Sequence, residues 1–221
     1  DGLAAARLFA AEGGEALVWL TVPPERLSGD ALANARLLEG LGIPIRVLQD
    51  EVPALPEADL AVDALFGTGL CRPLEGLNAR LVEALNASGL PILSVDIPSG
   101  IEGATGRVLG KAVRAARTVT FHRPKPGHYL YPGRAHTGRL TVESIGIPAA
   151  WDDAPGLRIL ADGDIPALLP PRRPDSHKGD CGHVLCVAGS RGMAGAAALC
   201  AQAALRGGAG LVTLACPDEL V

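Results

Sequence analysis

The stretch from Leu60 to Pro73 reads LAVDALFGTGLCRP and decides the fold of the first part of the chain. Its apolar start predicts a buried β-strand that carries Asp63, and its Gly-Thr-Gly centre predicts a loop. A carboxylate inside an apolar run is costly without a partner, because burial of an unpaired charge is strongly unfavourable. The stretch from Pro91 to Gly100, PILSVDIPSG, repeats the arrangement with Asp96 at a strand end. We therefore expect a site where two acids follow neighbouring strands.

Strands and helices are predicted to alternate over the first half of the chain with a repeat of about 30 residues, which is typical of βαβ units. Such units form a parallel sheet with right-handed crossovers. Ligands bind outside the carboxyl ends of the strands in these sheets. The predicted strands cover 17–22, which we expect to be central, 44–48, 60–66, 92–96, 117–122 and 138–145, and the predicted helices cover 1–12, 30–41 and 75–87.

The composition excludes several classes of protein. A net charge of -4 provides no basic field for nucleic acid. No apolar run reaches the roughly 18 residues that a membrane helix needs. Five cysteines without a CxxC motif fit free thiols in a reducing cytoplasm better than a disulfide framework. We therefore expect a cytoplasmic protein without a nucleic-acid or membrane partner, and the sequence leaves a homo-oligomer open.

The chain changes character after residue 150. Residues 151–174 are rich in proline and predict a linker, with a short strand at 157–160 and a short helix near 165–169. A new unit begins at Ser176, with strands predicted at 184–188 and 211–215 on either side of a helix at 196–206. This unit is too small to build an adequate core of its own. We therefore expect it to be the opening of a larger domain.

Asp63 and Asp96 have several possible roles. They can act as acid and base, bind a cation, or do both, and the hydroxyl of Ser99 adds an oxygen ligand nearby. Oxygen ligands suit hard ions such as potassium, magnesium or calcium. Alternatively, each carboxylate caps a loop by accepting backbone N–H bonds. Two acids at consecutive strand ends favour a site over two separate caps.

Two loops are weaker indicators of function. Gly67 to Gly69 allows a ligand to approach the backbone, whose N–H groups can bind an anion, although a tight turn needs the same glycines. The loop HRPKPGH carries His122, Lys125 and His128. We interpret these three side chains as solvated loop residues, with a phosphate contact from Lys125 as the alternative.

The glycine-rich loop of the later unit carries no recognised nucleotide motif. The sequence GSRGMAG at 189–195 is neither a dinucleotide GxGxxG in register nor a GxxxxGK[ST] loop. Lys178 and His183 lie near the preceding strand and either serve a site there or form a solvated edge. We favour the solvated edge for both.

The quoted motifs resemble a known pair of domains. VDALFGTGLCRP at 62–73 and VDIPSG at 95–100 resemble the NAD(P)H-hydrate epimerase domain. KGDCGHVLCVAGSRGMAGAAALCAQAALRGGAGLVTLA at 178–215 is similar to the start of the ADP-dependent NAD(P)H-hydrate dehydratase domain. The resemblance implies an α/β fold: a Rossmann-like, mostly parallel sheet with helices on both faces at 1–150. A linker at 151–175 and the first βαβ portion of a ribokinase-like domain at 176–221 follow.

The resemblance also implies an activity and a set of site residues. The family repairs nicotinamide cofactors that have taken up water across a ring double bond. Its epimerase interconverts the S and R hydrates, and its dehydratase removes water from the S hydrate at the expense of ADP. By resemblance Asp96 binds substrate, and Asp63 and Ser99 bind potassium. Our own hypothesis is that Asp96 is also catalytic and transfers protons as the hydroxyl leaves and returns. The implied substrate-binding residues are Asp1, Gly67, Thr68, Gly69, Leu70, Cys71, Arg72, Pro73, Asp96 and Ala196.

This sequence departs from the family pattern at both ends. The family's Gly-Asn-Asn-Gly-Gly-Asp-Gly loop is nearly all absent, since the chain starts at Asp1. The later Gly-Thr-Gly-Asp motif of the dehydratase does not occur. We therefore expect a chain truncated at both ends, with weak potassium binding. We also expect dehydratase activity in the parent protein but not in these 221 residues.

Three other functions stay open on sequence grounds. A nucleotide-binding oxidoreductase would show GxGxxG after its first strand and an acid about 20 residues later, and this sequence lacks both. A non-catalytic nucleotide- or protein-binding module would not need Asp63, Asp96 and Ser99. A ribokinase-like kinase of small molecules would phosphorylate a hydroxylated substrate.

Overall fold

The structure is a computed structural model that describes residues 1–151, 156–169 and 171–220. It divides into two compact units, Asp1–Asp153 and Ala154–Val221. Part of the predicted linker, at 152–155 and 170, lies outside the described residues.

The first unit alternates strands and helices in a parallel arrangement, which confirms the predicted α/β class. Its strands are β1 (Val18–Leu20), β2 (Ile45–Val47), β3 (Ala61–Asp63), β4 (Ile92–Val95), β5 (Arg117–Phe121) and β6 (Arg139–Glu143). Its α-helices are α1 (Gly2–Ala11), α2 (Gly29–Gly40), α3 (Gly76–Ala87) and α4 (Arg134–Thr137).

The sheet of the first unit has the order β3-β4-β5-β6, and every neighbouring pair is parallel. Strands β1 and β2 form a separate parallel pair. The prediction of a central strand at 17–22 is therefore wrong for the part of the chain that the structure describes. Its apolar residues Leu17 and Val22 remain 48% and 37% exposed, because an apolar run favours burial without fixing which strands pair with it.

Two apolar clusters anchor the loops that follow β3 and β4. The side chains before, within and after the loop at 67–73 pack on the first cluster, so that loop is fixed at several points. Burial of each large aliphatic side chain contributes about 1.5–3 kcal/mol. The first cluster contains Leu74, Val82, Ile92 and Val113, with Leu65, Phe66 and Leu70 against it. The second contains Ile97, Ile101 and Ala112, with Val108 against it.

Two further predicted strands depart most from the observed ones. The strand predicted at 60–66 ends at Asp63, whose side chain accepts a bond from the N–H of Leu65 at 3.4 Å and so begins a turn. The strand predicted at 157–160 does not form. Leu157 and Leu160 are 73% and 65% exposed there. An apolar run without a partner strand gains no ladder hydrogen bonds, so it stays irregular.

The second unit confirms the predicted βαβ order. Strands β7 (His183–Val187) and β8 (Leu211–Ala215) are parallel neighbours joined through helix α6 (Ala194–Arg206). The short helix α5 (Ile165–Leu168) lies where a helix was predicted. The chain's cysteines are all free thiols, as expected. Within the described residues, no helix combines the length and apolar character needed to cross a membrane.

Candidate functional site

The ends of two neighbouring strands bring the two predicted acids to one edge of the sheet. Asp63 is the last residue of β3, and Asp96 directly follows β4. The strands are parallel with Asp63 opposite Ser94, so their carboxyl ends point the same way. The structure therefore places both acids at the edge where ligands bind in such sheets.

The Asp63 carboxylate joins the two strand ends through hydrogen bonds. The hydroxyl of Ser94 and the N–H of Ser99 donate to Oδ2 at 2.7 and 2.9 Å. The hydroxyl of Ser99 lies 2.6 Å from Oδ1, and the N–H of Leu65 donates to the same oxygen. Asp63 is only 1% exposed, so these bonds satisfy a buried group. The carboxylate therefore holds both loops in place.

No described cationic side chain compensates the charge of Asp63. Burial raises its pKa, and the hydrogen bonds from Ser99 and Ser94 offset that effect only in part. The Ser99 hydroxyl also lies 3.3 Å from the carbonyl oxygen of Phe66 and accepts the Phe66 N–H at 3.0 Å. The buried carboxylate of Asp63 thus lies beside the Ser99 hydroxyl oxygen, which in turn lies beside the Phe66 carbonyl oxygen. This donor set fits a hard cation such as potassium.

The site does not resemble a transition-metal centre. In the described ranges, no cluster of three or more His, Cys, Asp or Glu residues could hold a metal ion. Soft or borderline metals prefer thiolate and imidazole ligands, whereas the oxygens around Asp63 come from serine, aspartate and the backbone. These oxygens therefore suit a hard cation better than a transition metal.

Asp96 adopts an unusual backbone conformation directly after β4. Its φ of 67° is left-handed, which costs a non-glycine residue roughly 1–2 kcal/mol. Its N–H donates to the carbonyl of Val119 at 2.7 Å, and its own carbonyl lies 2.9 Å from Nε2 of His128. These bonds hold the backbone in a conformation that breaks the strand. As a result, the side chain leaves the alternating pattern of the strand.

The two carboxylate oxygens of Asp96 have different surroundings. Oδ1 accepts bonds from Lys125 Nζ at 2.5 Å and from the Thr120 hydroxyl at 3.0 Å. A Cβ atom built on Gly67 would lie 3.5 Å from Oδ2, so this oxygen faces the loop at 67–73. Burial alone would raise the pKa of Asp96, but the hydrogen bond and charge of Lys125 outweigh it and hold the pKa below its ordinary value. Asp96 is therefore ionised at neutral pH.

The loop at 67–73 contributes backbone and space to this edge of the sheet. Neither Gly67 nor Gly69 has a positive φ, so backbone strain does not require glycine there. A Cβ at Gly69 would meet nothing within 4 Å, whereas one at Gly67 would face Asp96. Leu70 is half-buried against the first apolar cluster, and Thr68, Cys71, Arg72 and Pro73 are exposed. Substrate binding by this loop remains a prediction.

The other two predicted substrate residues, Asp1 and Ala196, lie at the starts of helices α1 and α6. Asp1 precedes α1, and a Cβ on the adjacent Gly2 would come 2.5 Å from the Cβ of Ala64. The start of α1 therefore contacts the residue after Asp63. Ala196 is exposed in the first turn of α6, in the second unit.

The prediction that Lys125 and His128 are solvated is wrong. His128 is 1% exposed and the Lys125 side chain 24% exposed. The Lys125 N–H donates to Nδ1 of His128 at 3.0 Å, so Nε2 carries the proton and donates to Asp96. Burial lowers the pKa of His128, which keeps the ring neutral. The sequence signal that could have indicated an ordered turn here is Pro126. It starts a short 3-10 turn, Pro126–His128, directly after Lys125.

Three further polar residues, His122, Lys178 and His183, are predicted from the sequence to be solvated. His122 is half-buried with a positive φ of 63°, so it is not a freely solvated side chain either. Lys178 and His183 are exposed, which confirms the solvated edge that we favoured. His183 Nε2 lies 2.7 Å from the Thr213 hydroxyl across the β7–β8 pair.

Comparison with known proteins identifies relatives with similar sequences. The sequence profile described as YjeF-related protein N-terminus matches residues 1–127. The bifunctional NAD(P)H-hydrate repair enzyme Nnr of Thermofilum pendens is 46% identical over 226 residues, covering 100% of this chain and 43% of that protein. The enzymes of the same name from Moorella thermoacetica and Coxiella burnetii are 41% and 39% identical, covering 98% and 100% of this chain and 42% and 45% of their own.

One solved structure has a similar fold. The crystal structure of the yeast protein ynu0, YNL200c, is 25% identical and superimposes with a TM-score of 0.53, covering 65% of this chain and 59% of that chain. The chain spans less than half the length of the repair enzymes named above. The profile covers more than half of this chain, and on that ground the chain belongs to the family of the YjeF-related protein N-terminus.

Proposed function

We propose that this chain carries an NAD(P)H-hydrate epimerase that interconverts the S and R hydrates of NADH and NADPH. The observation that carries the proposal is the ionised carboxylate of Asp96, whose Oδ2 faces Gly67 at the carboxyl edge of the sheet. The names of the relatives supply the substrate class. These names do not favour the oxidoreductase, binding-module or kinase alternatives.

The proposed ligand position follows from the loop after β3. The N–H of Leu70 donates to the Gly67 carbonyl at 3.3 Å and closes a turn, while residues 67–69 are exposed. Backbone N–H groups in such a turn can bind an anionic group. We place the pyrophosphate of the ligand against residues 67–70, with Cys71, Arg72 and Pro73 continuing the contact and Asp1 beside it. The hydrated nicotinamide then lies near Asp96.

The proposed chemistry is a reversible proton transfer. Epimerisation inverts the carbon that carries the added hydroxyl. In the proposed step the bond from that carbon to its hydroxyl breaks, the hydroxyl leaves as hydroxide, the electron pair of the ring nitrogen stabilises the carbon, and a water molecule adds to the other face. Ionised Asp96 accepts the proton that the adding water releases and passes it to the hydroxide that left, so the cycle consumes no proton. Proton transfer by a positioned group typically contributes about 10²–10⁴-fold to the rate.

Potassium belongs to the same proposal. Asp63, Ser99 and the carbonyl of Phe66 would hold the ion, and the bound charge would compensate the buried carboxylate. The ion's contribution is electrostatic and structural. Because Asp63 and Ser99 also bond to each other across the two strand ends, these residues hold the loops in place whether or not they bind the ion.

The ADP-dependent dehydration of the S hydrate is proposed for the complete gene product only. The relatives are named bifunctional, and the second unit carries the sequence that resembles the start of a dehydratase domain. Ala196 is the residue of that unit that we assign to substrate. ADP would be the second substrate of that reaction.

The test starts from each hydrate epimer in pure form. The complete gene product is incubated separately with the S and the R hydrate of NADH, and the epimers are resolved by liquid chromatography. We expect both samples to converge on one ratio much faster than in buffer or with a mock preparation from the same expression strain. If neither the S nor the R hydrate epimerised faster than with the mock preparation, that result would contradict the proposed function.

A further inference from the structure

We propose that Lys125 is a positioning residue for Asp96: its ammonium group fixes Oδ1, so that the carboxylate presents Oδ2 alone to the ligand at Gly67. The catalytic part of this inference rests on the proposed epimerase function. The geometric part does not depend on that function. It says only that Oδ1 of Asp96 is held by Lys125 and that Oδ2 faces the loop at Gly67.

The ammonium group of Lys125 has a full set of acceptors. Nζ lies 2.5 Å from Oδ1 of Asp96, 2.7 Å from the hydroxyl of Thr120 and 3.3 Å from the carbonyl of Phe121. A protonated lysine has three donors, so each has an acceptor. No donor is left over for a phosphate. The contacts therefore favour a role inside the protein over the phosphate contact considered from the sequence.

Thr120 completes the fixation of Oδ1. Its hydroxyl donates to Asp96 at 3.0 Å and accepts from Lys125 at 2.7 Å, which matches the one donor and the lone pairs of a hydroxyl. Thr120 lies within β5 and is fully buried. Oδ1 is thus held from two directions by groups on a rigid element and a short loop. The carboxylate has little freedom to exchange its two oxygens.

The backbones of Lys125 and Asp96 are joined through one imidazole. His128 accepts the Lys125 N–H at Nδ1 and donates from Nε2 to the carbonyl of Asp96. A protonated ring would turn Nδ1 into a donor against that N–H, so this arrangement requires the neutral tautomer. A Cβ on the adjacent Gly127 would lie 2.7 Å from the Glu102 carbonyl, so the turn that carries His128 is closely packed. Both members of the ion pair are therefore fixed along the backbone as well as through their side chains.

An ordinary structural ion pair is the competing explanation. Such pairs also perturb titration and stabilise loops without any role in catalysis. The two explanations differ in what Lys125 does to the reaction. A structural pair changes the amount of folded protein, whereas a positioning residue changes the rate of the folded protein and the pH at which Asp96 becomes active. Among the described residues, the titratable groups that shift the pKa of Asp96 are Lys125 and His128.

The experiment compares Lys125→Met, Lys125→Arg and a matched control in the complete gene product. The control is Lys111→Met, since Lys111 forms an exposed ion pair with Glu83 at 2.7 Å, where the two side chains are 57% and 52% exposed. We expect Lys125→Met to lower kcat roughly 100-fold, since a small misplacement of a reacting group costs about that much. KM stays within about threefold, because the ligand is held elsewhere. Lys111→Met leaves both constants unchanged.

The pH profile separates positioning from folding. In Lys125→Met the acidic limb of kcat/KM moves to higher pH, because Asp96 has lost the charge that keeps it ionised. Lys125→Arg keeps a charge but cannot repeat the three contacts, so the limb moves back towards the wild-type position while kcat stays reduced. An unchanged kcat and acidic limb in Lys125→Met would overturn the proposal. A raised KM with unchanged kcat would overturn it as well, since that result assigns Lys125 to ligand binding.

A second measurement needs neither a variant at Lys125 nor substrate. The Asp96 carboxyl carbon is followed by ¹³C NMR during a pH titration of the wild-type protein, and the signal is assigned with Asp96→Asn. We expect a pKa below the ordinary value of 3.8. A value at or above the ordinary one would overturn the pairing. A wild-type protein without epimerase activity would overturn the proposed function instead, and the titration would still test whether Lys125 is paired with Asp96.

Discussion

Asp63 and Asp96 stand at the ends of neighbouring parallel strands, yet their surroundings are opposite. Asp63 is 1% exposed and bonded only to neutral donors among the described residues, and burial raises its pKa. The Asp96 side chain is 16% exposed and paired with Lys125, which lowers its pKa. The position at a strand end is the same in both cases. The neighbouring donors therefore decide which acid organises the loops and which one faces the ligand.

The two acids also differ in the oxygens that they leave open. Both oxygens of Asp63 accept hydrogen bonds from Ser94, Ser99 and Leu65. Asp96 commits Oδ1 to the protein and directs Oδ2 towards Gly67. A carboxylate whose oxygens are both committed holds structure together, and a carboxylate with one oxygen facing a loop can act on a ligand. This division of roles predicts different effects for changes at the two acids.

The largest expected effect is on stability, from Asp63→Ala. The change leaves buried donors on Ser94 and Ser99 without their acceptor, and each unsatisfied buried donor costs about 1–3 kcal/mol. We expect a loss of about 3 kcal/mol or more in the free energy of unfolding, measured in urea. Asp96→Ala leaves the largely buried Lys125 ammonium group without its counter-charge, but Lys125 keeps Thr120 and Phe121 as acceptors, so we expect a smaller loss than in Asp63→Ala. Equal losses in the two variants would contradict the division.

Two glycines near these acids give the next largest contrast. A Cβ on Gly100 would lie 2.0 Å from the Lys111 carbonyl, and its φ is 98°, so we expect Gly100→Ala to cost about 2–3 kcal/mol. Gly67→Ala has no such clash and stays within about 0.5 kcal/mol of the wild type. The new methyl group of Gly67→Ala would face Asp96, so its rate of epimerisation falls about tenfold. A destabilised Gly67→Ala with normal activity would refute this assignment.

Removal of potassium is expected to have a smaller effect. A ligand at ten times its Kd stabilises the folded state by about 1.4 kcal/mol, so the melting temperature falls when potassium chloride is replaced by choline chloride at equal ionic strength. Asp63→Asn is the control, since it removes the charge that the ion compensates. The potassium-dependent shift disappears in that variant. The same shift in both proteins would exclude Asp63 as a ligand.

The smallest expected effect is the pH dependence of the Asp96 contribution to stability. Because the folded pKa lies below the ordinary value of 3.8, this contribution is present above that pH and is lost as pH falls through the folded pKa. The difference in unfolding free energy between the wild type and Asp96→Asn therefore shrinks below about pH 4. A difference that grows towards acid would give Asp96 a raised pKa instead.

The fold was predictable from sequence where periodicity and loop chemistry agree. The β4 strand, the α3 helix and the β7–α6–β8 unit lie within two residues of their predicted bounds. The pairing of β1 was not predictable, since an apolar run says nothing about which strand it joins. The run at 157–160 has the composition of a strand but no described partner.

The candidate site was predictable only in part. Asp63 and Ser99 were predicted to act together, and the structure joins them by hydrogen bonds. The contribution of Lys125 and His128 was missed, because both lie in a proline-rich loop that favours solvent exposure on average. Lys125 lies 29 positions after Asp96 in the sequence, and only the fold brings the two side chains into contact. Contacts between distant segments of this kind leave no periodic pattern in a single sequence.

The most direct test of this account is the epimerisation rate of Asp96→Asn, corrected for the fraction of folded protein determined by urea unfolding of the same preparation. We predict a loss of about 100-fold or more in the rate, with a smaller loss of unfolding free energy than in Asp63→Ala, because Asp96 faces the ligand whereas Asp63 joins the two loops. A folded Asp96→Asn protein that interconverts the two hydrates at the wild-type rate would contradict it.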